Sequence, residues 1–291
     1  MKIIVTGSHG QLGSDVVSEL KKRGHNAVGI DIEELDITDK SAVNEFICEG
    51  NPEAVIHCAA WTAVDAAEES ENQSKVYAVN YEGTKNIAES CKKIGSKMLY
   101  ISTDYVFDGT GETPWKADCK SFKPLGIYGD SKLKGELAVS ELLEKYFIVR
   151  ISWVFGLHGN NFVKTMLNIG KKHDSLRVVN DQIGTPTYTK DLAVLLADMI
   201  ESEKYGFYHA SNEGGYISWY DFACEIFKQA EYKTKVIPVA TEEYGSSKAV
   251  RPKNSRLDKS KLTENGFKRL PDWQDALKRY LEELKNESDK G

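Results

Sequence analysis

The sequence predicts an α/β protein with a doubly wound parallel sheet, followed by a smaller, mixed α/β region toward the C-terminus. In the first half of the 291 residues, short runs rich in Ile, Val and Leu alternate with longer segments of helical period. This alternation is typical of a parallel sheet with helices on both faces. After about Arg150 the alternation weakens, and Gly and Asn become frequent over residues 156–161. The chain therefore divides into a regular first part and a less regular second part.

Five strands are predicted in the first part: residues 2–6, 27–30, 54–57, 98–101 and 147–150. Between the first two strands, Leu12, Val16 and Leu20 recur every four residues, which places an apolar stripe on one face of a helix. A longer helix is predicted over residues 73–94. Within it, Gly83 allows the close approach of a neighbouring segment.

The second part contains a short predicted strand near residues 177–180, between segments of helical pattern. Helices are predicted near 191–199 and 218–230. Ser218 followed by Asp221 is typical of a helix N-terminus, because the serine caps free N–H groups and an acidic first turn favours the helix dipole. The second part therefore mixes helices with short strands.

Composition and charge exclude several classes of protein. The 38 Lys and Arg against 44 Asp and Glu give a formal net charge of −6, and no basic run occurs, which argues against nucleic acid as a partner. The first residues, MKIIVTG, leave too little room for an apolar signal core, and no 18-residue apolar run follows, so we expect no membrane insertion. The five cysteines are widely spaced without a CxxC pair, which predicts reduced packing residues in a cytoplasmic protein.

A glycine-rich turn follows the first predicted strand. Gly7, Gly10 and Gly13 form the pattern GxxGxxG at the start of the first helix, inside a strand-helix-strand unit. Glycines at this spacing allow a tight turn and a close approach to a pyrophosphate, which the free N–H groups and the dipole of the helix attract. The turn therefore predicts a dinucleotide site. The alternative is a tight strand-helix connection without a ligand.

Two acidic residues lie where the adenosine of a dinucleotide would bind. Asp31 ends the second strand. A carboxylate there can accept hydrogen bonds from the ribose, which favours NAD over NADP. The alternative is that Asp31 is an ordinary acidic residue of a loop. Asp36 follows five residues later, toward the adenine region. Ser8 and His9 offer no fixed cation for a 2′-phosphate. The sequence therefore leaves the choice between NADPH and NADH open.

A tyrosine and a lysine stand four residues apart in Tyr128-Gly-Asp-Ser-Lys132, so a helix beginning there presents both on one face. A neighbouring cation lowers the pKa of a tyrosine from its usual value of about 10, which would make Tyr128 a general acid. Thr103 follows the fourth strand, at the sheet edge where α/β proteins bind ligands, and its hydroxyl can donate to a carbonyl oxygen. The structural alternatives are a surface pair and a turn residue.

With these residues assembled, the chain resembles the extended short-chain dehydrogenases/reductases, which have a Rossmann-type fold, and among them the dTDP-4-dehydrorhamnose reductase family. The likeness runs nearly end to end. Eight segments carry it. Residues 7–13 and 128–136 are typical of the superfamily, and the other six of this reductase family. These segments are 7–13 (GSHGQLG), 59–68 (AAWTAVDAAE), 102–109 (STDYVFDG), 128–136 (YGDSKLKGE), 152–154 (SWV), 161–163 (NFV), 181–187 (DQIGTPT) and 251–258 (RPKNSRLD).

The resemblance implies a reaction and three catalytic residues. A reduced nicotinamide cofactor, NADPH or NADH, would give hydride to the C4 ketone of dTDP-4-dehydro-L-rhamnose and form dTDP-L-rhamnose, a precursor of bacterial surface polysaccharide. On the matching positions, Tyr128 would protonate the developing alkoxide, and Lys132 would lower the pKa of Tyr128 and hold the nicotinamide ribose. Thr103 would hydrogen-bond the reacting oxygen.

Motif and resemblance together also predict the binding residues. Those expected for the cofactor, besides Tyr128 and Lys132, are Gly7, Gly10, Gln11, Leu12, Gly13, Asp31, Asp36, Ala59, Ala60 and Thr62. Trp153 would form a wall for the sugar, and Asp104 would contact it. Arg251 and Arg256 are candidates for the nucleotide diphosphate, because a guanidinium fits phosphate oxygens, although either could equally be a surface arginine.

The change in pattern along the chain also predicts which residues bind the cofactor and which bind the substrate. Residues 1–150 would bind the cofactor, with a segment returning near 178–205, and residues 151–177 and 206–291 would bind the substrate. Members of the resembled family are described both as magnesium-bridged dimers and as monomers. Because no metal carboxylates match here, no metal is predicted, and a homodimer stays open.

Two other functions stay open as alternatives. Related nucleotide-sugar epimerases keep NAD bound and return the hydride, whereas a related dehydratase would carry Thr-Asp-Glu where this chain has Tyr105 after Asp104. A non-catalytic regulatory subunit, like that of methionine adenosyltransferase, has the same fold. Such a subunit would have no physical need for Thr103, Tyr128 and Lys132.

Overall fold

A six-stranded parallel sheet forms the centre of the computed structural model, which describes residues 1–245 and 247–288. The strands of the chain are β1 (Lys2–Thr6), β2 (Asn26–Ile30), β3 (Ala54–His57), β4 (Lys97–Thr103), β5 (Tyr146–Ile151), β6 (Val154–Phe155), β7 (Ser175–Val179), β8 (Ile183–Gly184), β9 (Thr187–Tyr188), β10 (Gly206–Ala210), β11 (Ile217–Ser218) and β12 (Lys235–Val239). The sheet has the order β10-β5-β4-β3-β1-β2, and every neighbouring pair is parallel. The five strands predicted in the first part are all present.

Helices cover both faces of this sheet. The helices are α1 (Gln11–Lys22), α2 (Lys40–Gly50), α3 (Val64–Ala67), α4 (Ser70–Tyr77), α5 (Thr84–Ile94), α6 (Ile127–Leu142), α7 (Phe162–Gly170), α8 (Thr189–Ile200), α9 (Trp219–Gln229), α10 (Thr241–Tyr244), α11 (Ser260–Glu264) and α12 (Trp273–Ser288). Val16 and Leu20 of α1 share a buried cluster with Leu192 of α8 on one face. Ile47 of α2 and Ile87 of α5 are buried on the opposite face. Burial on both faces confirms the predicted doubly wound α/β fold.

The long helix predicted over 73–94 is present but not uniform. A π-helical turn over Ala78–Gly83 connects α4 to α5. A π-helical turn changes the hydrogen-bond pattern of the backbone but not the type of residue, so the residue pattern does not reveal it. A side chain at Gly83 would lie 2.8 Å from Ile37, which confirms the predicted close approach of a neighbouring segment.

A separate apolar cluster organises the second part of the chain. Phe155, Phe222 and Trp273 are buried in this cluster, and three two-stranded sheets surround it, formed by β7 with β12, β8 with β11 and β6 with β9. Ser218 caps α9, because its Oγ accepts the N–H of Asp221 at 3.1 Å and the Asp221 carboxylate accepts the N–H of Ser218 at 2.9 Å. The predicted helix start is therefore confirmed.

The edge strand β10 differs from the division that the sequence predicts. It pairs in parallel with β5 in the central sheet, whereas the sequence assigns residues from 206 onward to the substrate region. Its five residues, GFYHA, include a histidine and are too few to show a strand period, yet Tyr208 and Ala210 are fully buried. Of the predicted returning segment, α8 packs on α1, whereas β7 and β8 pair within the second part. The division of cofactor and substrate binding stays a prediction.

Three further features concern the whole described chain. Over residues 1–245 and 247–288, none of the helices combines the length and apolar character that a membrane crossing needs. Within the same residues, His, Cys, Asp and Glu side chains form no group of three or more that could hold a metal ion. The five cysteines are free thiols: Cys48, Cys58, Cys91, Cys119 and Cys224.

Candidate active site

Backbone contacts hold the glycine turn between β1 and α1. Gly7 has a φ of +65°, in the left-handed region that favours glycine, and a side chain there would lie 2.7 Å from the backbone nitrogen of Ala59. A side chain at Gly13 would lie 2.0 Å from the carbonyl oxygen of Gly7. The N–H of Gly10 donates to the same oxygen at 3.1 Å. The turn is therefore packed tightly against the loop that follows β3.

The turn and the start of α1 fit a dinucleotide phosphate. A side chain at Gly10 would meet only the Gly7 oxygen, at 3.2 Å, so the rest of this face is open. Among the described residues, no side chain caps the helix at Gly10, and its first turn, beginning at Gln11, carries no acidic residue. The first N–H groups and the positive end of the helix dipole are therefore available to an anion.

A cavity of about 770 Å³ lies along the carboxyl edge of the central sheet. Its lining contains all the predicted cofactor and catalytic residues and two of the predicted sugar contacts: Gly7, Gly10, Gln11, Leu12, Gly13, Asp31, Asp36, Ala59, Ala60, Thr62, Thr103, Asp104, Tyr128, Lys132 and Trp153. Neighbouring strands lie about 4.8 Å apart, so the loops after β2, β1, β3 and β4 stand side by side in that order. The volume suits a cofactor-sized ligand.

Asp31 and Asp36 lie at the β2 end of this cavity. The Asp31 carboxylate accepts hydrogen bonds from the backbone N–H groups of His9 and Ile32, both at 2.9 Å. The Asp36 Oδ1 accepts the N–H of Thr38 at 2.9 Å and its hydroxyl at 2.7 Å. Both carboxylates are thereby fixed beside the cavity, where they can accept hydrogen bonds from an adenosine.

Thr103, Tyr128 and Lys132 meet at the β4 end of the cavity. Thr103 is the last residue of β4, and Tyr128 and Lys132 lie one helical turn apart at the start of α6. The Lys132 Nζ donates to the carbonyl oxygen of Ile101 at 2.7 Å and lies 4.1 Å from the centre of the Tyr100 ring. Burial lowers the pKa of Lys132 to about 7, because a charged ammonium loses its water there.

The pKa of Tyr128 differs from the prediction. Burial raises it to about 12, and this effect outweighs the hydrogen bond with Thr103, which lowers it. The predicted lowering by Lys132 is not found, because loss of hydration dominates and the ammonium is directed at the Ile101 carbonyl. Tyr128 therefore keeps its proton at neutral pH, which is the state that a general acid requires.

Asp104 adds a buried carboxyl group beside these residues. Thr103 Oγ1 donates to Asp104 Oδ1 at 3.1 Å, whereas Asp104 Oδ2 has no hydrogen-bond partner within the described chain. Burial raises the pKa of Asp104 to about 6, and the hydroxyls of Ser255 and Thr103 lower it less than burial raises it. A buried acceptor without a partner is free to bind a ligand hydroxyl.

A pair of stacked tryptophans separates this cavity from a second one. Trp153 has a φ of +51° and its ring stacks on Trp219, with the ring centres 3.8 Å apart. Trp153 lines the first cavity and Trp219 the second. Sequence reasoning missed Trp219, because the Ser218 cap reveals where α9 begins but not which side chain its first residue meets.

The two predicted phosphate-binding arginines line the second cavity, which has a volume of about 1520 Å³. Arg251 donates from Nη2 to Asp65 Oδ2 at 2.7 Å, and Arg256 donates from Nη1 to Asn254 Oδ1 at 3.0 Å. The structure therefore does not bring these arginines into the cavity of the catalytic residues. Sequence reasoning also missed Asp65, although it lies within the quoted segment 59–68, because its partner is 186 positions away.

A doubly wound sheet, a glycine turn at one end of a cofactor-sized cavity and a Thr, Tyr and Lys at the other form the arrangement expected of the short-chain dehydrogenases/reductases. This chain has that arrangement. It therefore has the architecture of that class of oxidoreductases.

Comparisons with known proteins define its family. The model of the RmlD substrate binding domain matches residues 1–286. A dTDP-4-dehydrorhamnose reductase of Aggregatibacter actinomycetemcomitans is 41% identical over 290 residues, which cover 95% of this chain and 97% of that protein. The chain therefore belongs to the RmlD family of dTDP-4-dehydrorhamnose reductases, as its motifs predict.

Two solved structures have the same fold. A dTDP-4-dehydrorhamnose reductase from Clostridium acetobutylicum ATCC 824 matches with a TM-score of 0.94 and 44% identity, covering 98% of this chain and all of that one. The corresponding enzyme of Bacillus anthracis str. Ames, in complex with NADP, matches with a TM-score of 0.91 and 43% identity, covering 97% of this chain and 98% of that one. These likenesses confirm the predicted fold class.

Proposed function

We propose that the chain reduces the C4 ketone of dTDP-4-dehydro-L-rhamnose and forms dTDP-L-rhamnose, with NADPH or NADH as the reductant. The observation that carries the proposal is the presence of Thr103, Tyr128 and Lys132 in the cavity that contains the glycine turn. Relatives named dTDP-4-dehydrorhamnose reductases match nearly the whole chain, which supports this sugar nucleotide as the substrate.

The catalytic residues act on the ketone oxygen. The reduced nicotinamide, when bound, supplies a hydride to the ketone carbon. Tyr128 donates its phenolic proton to the oxygen as negative charge develops there, and a pKa of about 12 keeps this proton in place beforehand. The Thr103 hydroxyl turns from Asp104 to hydrogen-bond the same oxygen. Both groups therefore stabilise charge that appears only in the transition state.

Lys132 supports Tyr128 and holds the nicotinamide ribose. In its protonated form Lys132 has three N–H donors, and the Ile101 carbonyl accepts one of them. Two donors are left for the ribose hydroxyls and for the phenolate that Tyr128 becomes after it has given up its proton. Positive charge one helical turn away stabilises that phenolate.

The remaining predicted residues bind the two ligands. The proposed cofactor residues are Gly7, Gly10, Gln11, Leu12, Gly13, Asp31, Asp36, Ala59, Ala60 and Thr62. Trp153 and the unpartnered carboxylate oxygen of Asp104 would hold the sugar between the two cavities. Arg256 and Arg251 would face the diphosphate in the second cavity. A guanidinium has five N–H donors, so Arg251, which contacts Asp65 and Ser247, and Arg256, which contacts Asn254, each keep N–H groups for a phosphate.

The cytoplasm is the compartment that we propose. Five free thiols fit a reducing environment, in which disulfides are rare. A homodimer stays a prediction, and the elution volume of the purified protein would test it.

The proposal is tested by mixing the protein with dTDP-4-dehydro-L-rhamnose and NADPH or NADH. Loss of reduced-nicotinamide absorbance gives the rate, and mass spectrometry and NMR identify the sugar product. Replacing Tyr128 by phenylalanine (Tyr128→Phe) removes only the proton donor, so we expect kcat to fall by about 10²–10⁴-fold with NADPH binding retained.

Tyr205→Phe is the matched control, because its hydroxyl is buried without a hydrogen-bond partner in the described chain and lies outside both cavities. Its activity should equal that of the wild type. Full activity of Tyr128→Phe would refute the assigned role. A wild-type protein that binds NADPH without oxidising it would instead support an enzyme that retains its cofactor, or a regulatory subunit.

A further inference from the structure

Three groups from one short segment converge on the carboxylate of Asp65. Its Oδ2 accepts a hydrogen bond from Arg251 Nη2 at 2.7 Å. Its Oδ1 accepts the Ser247 hydroxyl at 2.8 Å and the Ala249 N–H at 3.0 Å. Residues 247–251 are therefore fastened to a side chain from the opposite end of the sequence.

This contact connects the chain segments that line the two cavities. Residues 247–251 contribute four members to the lining of the second cavity: Ser247, Ala249, Val250 and Arg251. Asp65 lies in α3, directly after the loop that lines the first cavity with Ala59, Ala60, Trp61 and Thr62. Residues 59–65 therefore line the first cavity with their first members, and their last member, Asp65, holds the segment 247–251 that lines the second cavity.

The contact is charge-assisted and stays formed over a wide pH range. Partial burial raises the pKa of Asp65, but hydrogen bonds from Arg251, Ala249 and Ser247 outweigh it and lower the pKa to about 2. The carboxylate is therefore ionised in any ordinary assay buffer. A second ion pair, between Lys248 and Glu69, is more exposed on its lysine side, so we expect it to contribute less.

We propose that Asp65 is a positioning residue for the substrate, holding residues 247–251 in place as a wall of the cavity that receives the sugar nucleotide. This inference rests on the proposed function, because it takes the second cavity as the site of the nucleotide. Asp65 itself also lines the second cavity, but both its carboxylate oxygens are engaged by Ser247, Ala249 and Arg251. It therefore acts through these groups, and its removal leaves the catalytic residues in place. Loss of the contact leaves residues 247–251 less ordered in the free protein. Part of the binding free energy of the substrate is then spent on ordering them, so the affinity falls.

The test is Asp65→Asn, which keeps the size of the side chain and removes its charge. We expect the KM for dTDP-4-dehydro-L-rhamnose to rise about 10-fold, because a carboxylate that accepts from both Nη groups of Arg251 becomes a neutral amide with one acceptor oxygen. The kcat and the KM for NADPH should stay within about twofold of the wild type. Calorimetry with dTDP alone should show the same loss of affinity, which is a readout independent of turnover.

Glu69→Gln is the matched control, because it removes a carboxylate whose partner, Lys248, is not among the described residues that line the cavity. Because this ion pair holds the same segment through a more exposed lysine, its KM should change by less than about twofold. Asp65→Glu should recover most of the affinity, and Ser247→Ala, which removes one neutral donor, should raise the KM by about twofold to threefold.

Two results would overturn the role of Asp65. One is unchanged dTDP affinity and KM in both Asp65→Asn and Ser247→Ala, and the other is an equal loss in Glu69→Gln. The calorimetric measurement also separates this inference from the proposed function. A wild-type protein that binds dTDP but reduces no sugar would refute the function, and the loss of dTDP binding in Asp65→Asn would still support the positioning role.

Discussion

The two cavities lie side by side but are built in different ways. The first follows the edge of one parallel sheet, and short backbone contacts such as Gly10 N–H to Gly7 O shape its turn. The second is enclosed by loops from distant parts of the chain, where Asp65 meets Arg251 across 186 positions. A methyl group added to the backbone turn would clash with neighbouring atoms. Removal of one side-chain contact in the second cavity weakens the packing of its lining only in part. The two cavities should therefore respond differently to substitution.

The largest effect is expected at the glycine turn. In Gly13→Ala the new methyl group would lie 2.0 Å from the Gly7 oxygen, so the turn or α1 must shift. A displacement of about 1 Å near a binding site costs on the order of 100-fold in kcat/KM. We expect a loss of this size, measured with NADPH as the varied substrate, while calorimetry still detects binding of dTDP to the second cavity.

Gly50→Ala provides the control for this experiment. A methyl group there would meet its nearest atom at 3.7 Å, an ordinary contact. Its NADPH affinity should match that of the wild type. If Gly13→Ala bound NADPH as well as Gly50→Ala does, the turn would not hold the cofactor phosphates, and the contrast between the two cavities would fail.

An intermediate effect is expected at the boundary between the cavities. Trp153→Ala removes the ring that stacks on Trp219 at 3.8 Å. Loss of an aromatic wall should raise the KM for the sugar nucleotide about 10-fold, which corresponds to about 1.4 kcal/mol. Initial rates with each substrate varied in turn would separate the effects, and the KM for NADPH should stay within about twofold. Equal weakening of both ligands would place Trp153 in the cofactor site instead.

This contrast also explains how much of the fold the sequence predicts. The strands of the first part are short apolar runs between helical segments, and a run such as residues 54–57 is buried on both sides. That pattern is local, so it can be read without knowing the neighbours. The strand β10 has no such pattern, and its place beside β5 depends on a contact between distant segments. The π-helical turn of Ala78–Gly83 is hidden for a related reason, because it changes hydrogen bonding without changing residue type.

The candidate site divides in the same way. The glycine turn and the pair Tyr128 and Lys132 have fixed spacings of three or four residues, and the structure places them in one cavity. Spacing did not predict the electrostatics, because the pKa of Tyr128 depends on burial by surrounding segments. No role could be assigned to Asp65 from its motif either, because its hydrogen-bond partner Arg251 is distant in the sequence. Local motifs therefore locate a site, and long-range packing sets the charges within it.

The smallest effect is expected on stability, through Lys132. Burial lowers its pKa to about 7 in the folded protein, whereas an unfolded lysine has a pKa of about 10.4. Between these values the unfolded state binds more protons, so the stability of the wild type rises with pH over this window and is lowest below pH 7. Lys132→Met removes the buried charge. We expect its Tm to exceed that of the wild type at pH 6 by several °C, and the difference to shrink as the pH approaches 10.

In the folded protein, three buried neighbours of Lys132 do not titrate in this window, and Asp104, with a pKa of about 6, titrates only at its lower end. Burial raises the pKa values of Cys58 and Tyr128 to about 12, and it lowers that of His57 to about 3. The difference in Tm between the two proteins, followed by calorimetry from pH 6 to pH 10, therefore reports the titration of Lys132. A difference that does not change with pH would contradict the lowered pKa. It would mean that the bond to the Ile101 carbonyl and the Tyr100 ring holds the ammonium charged throughout.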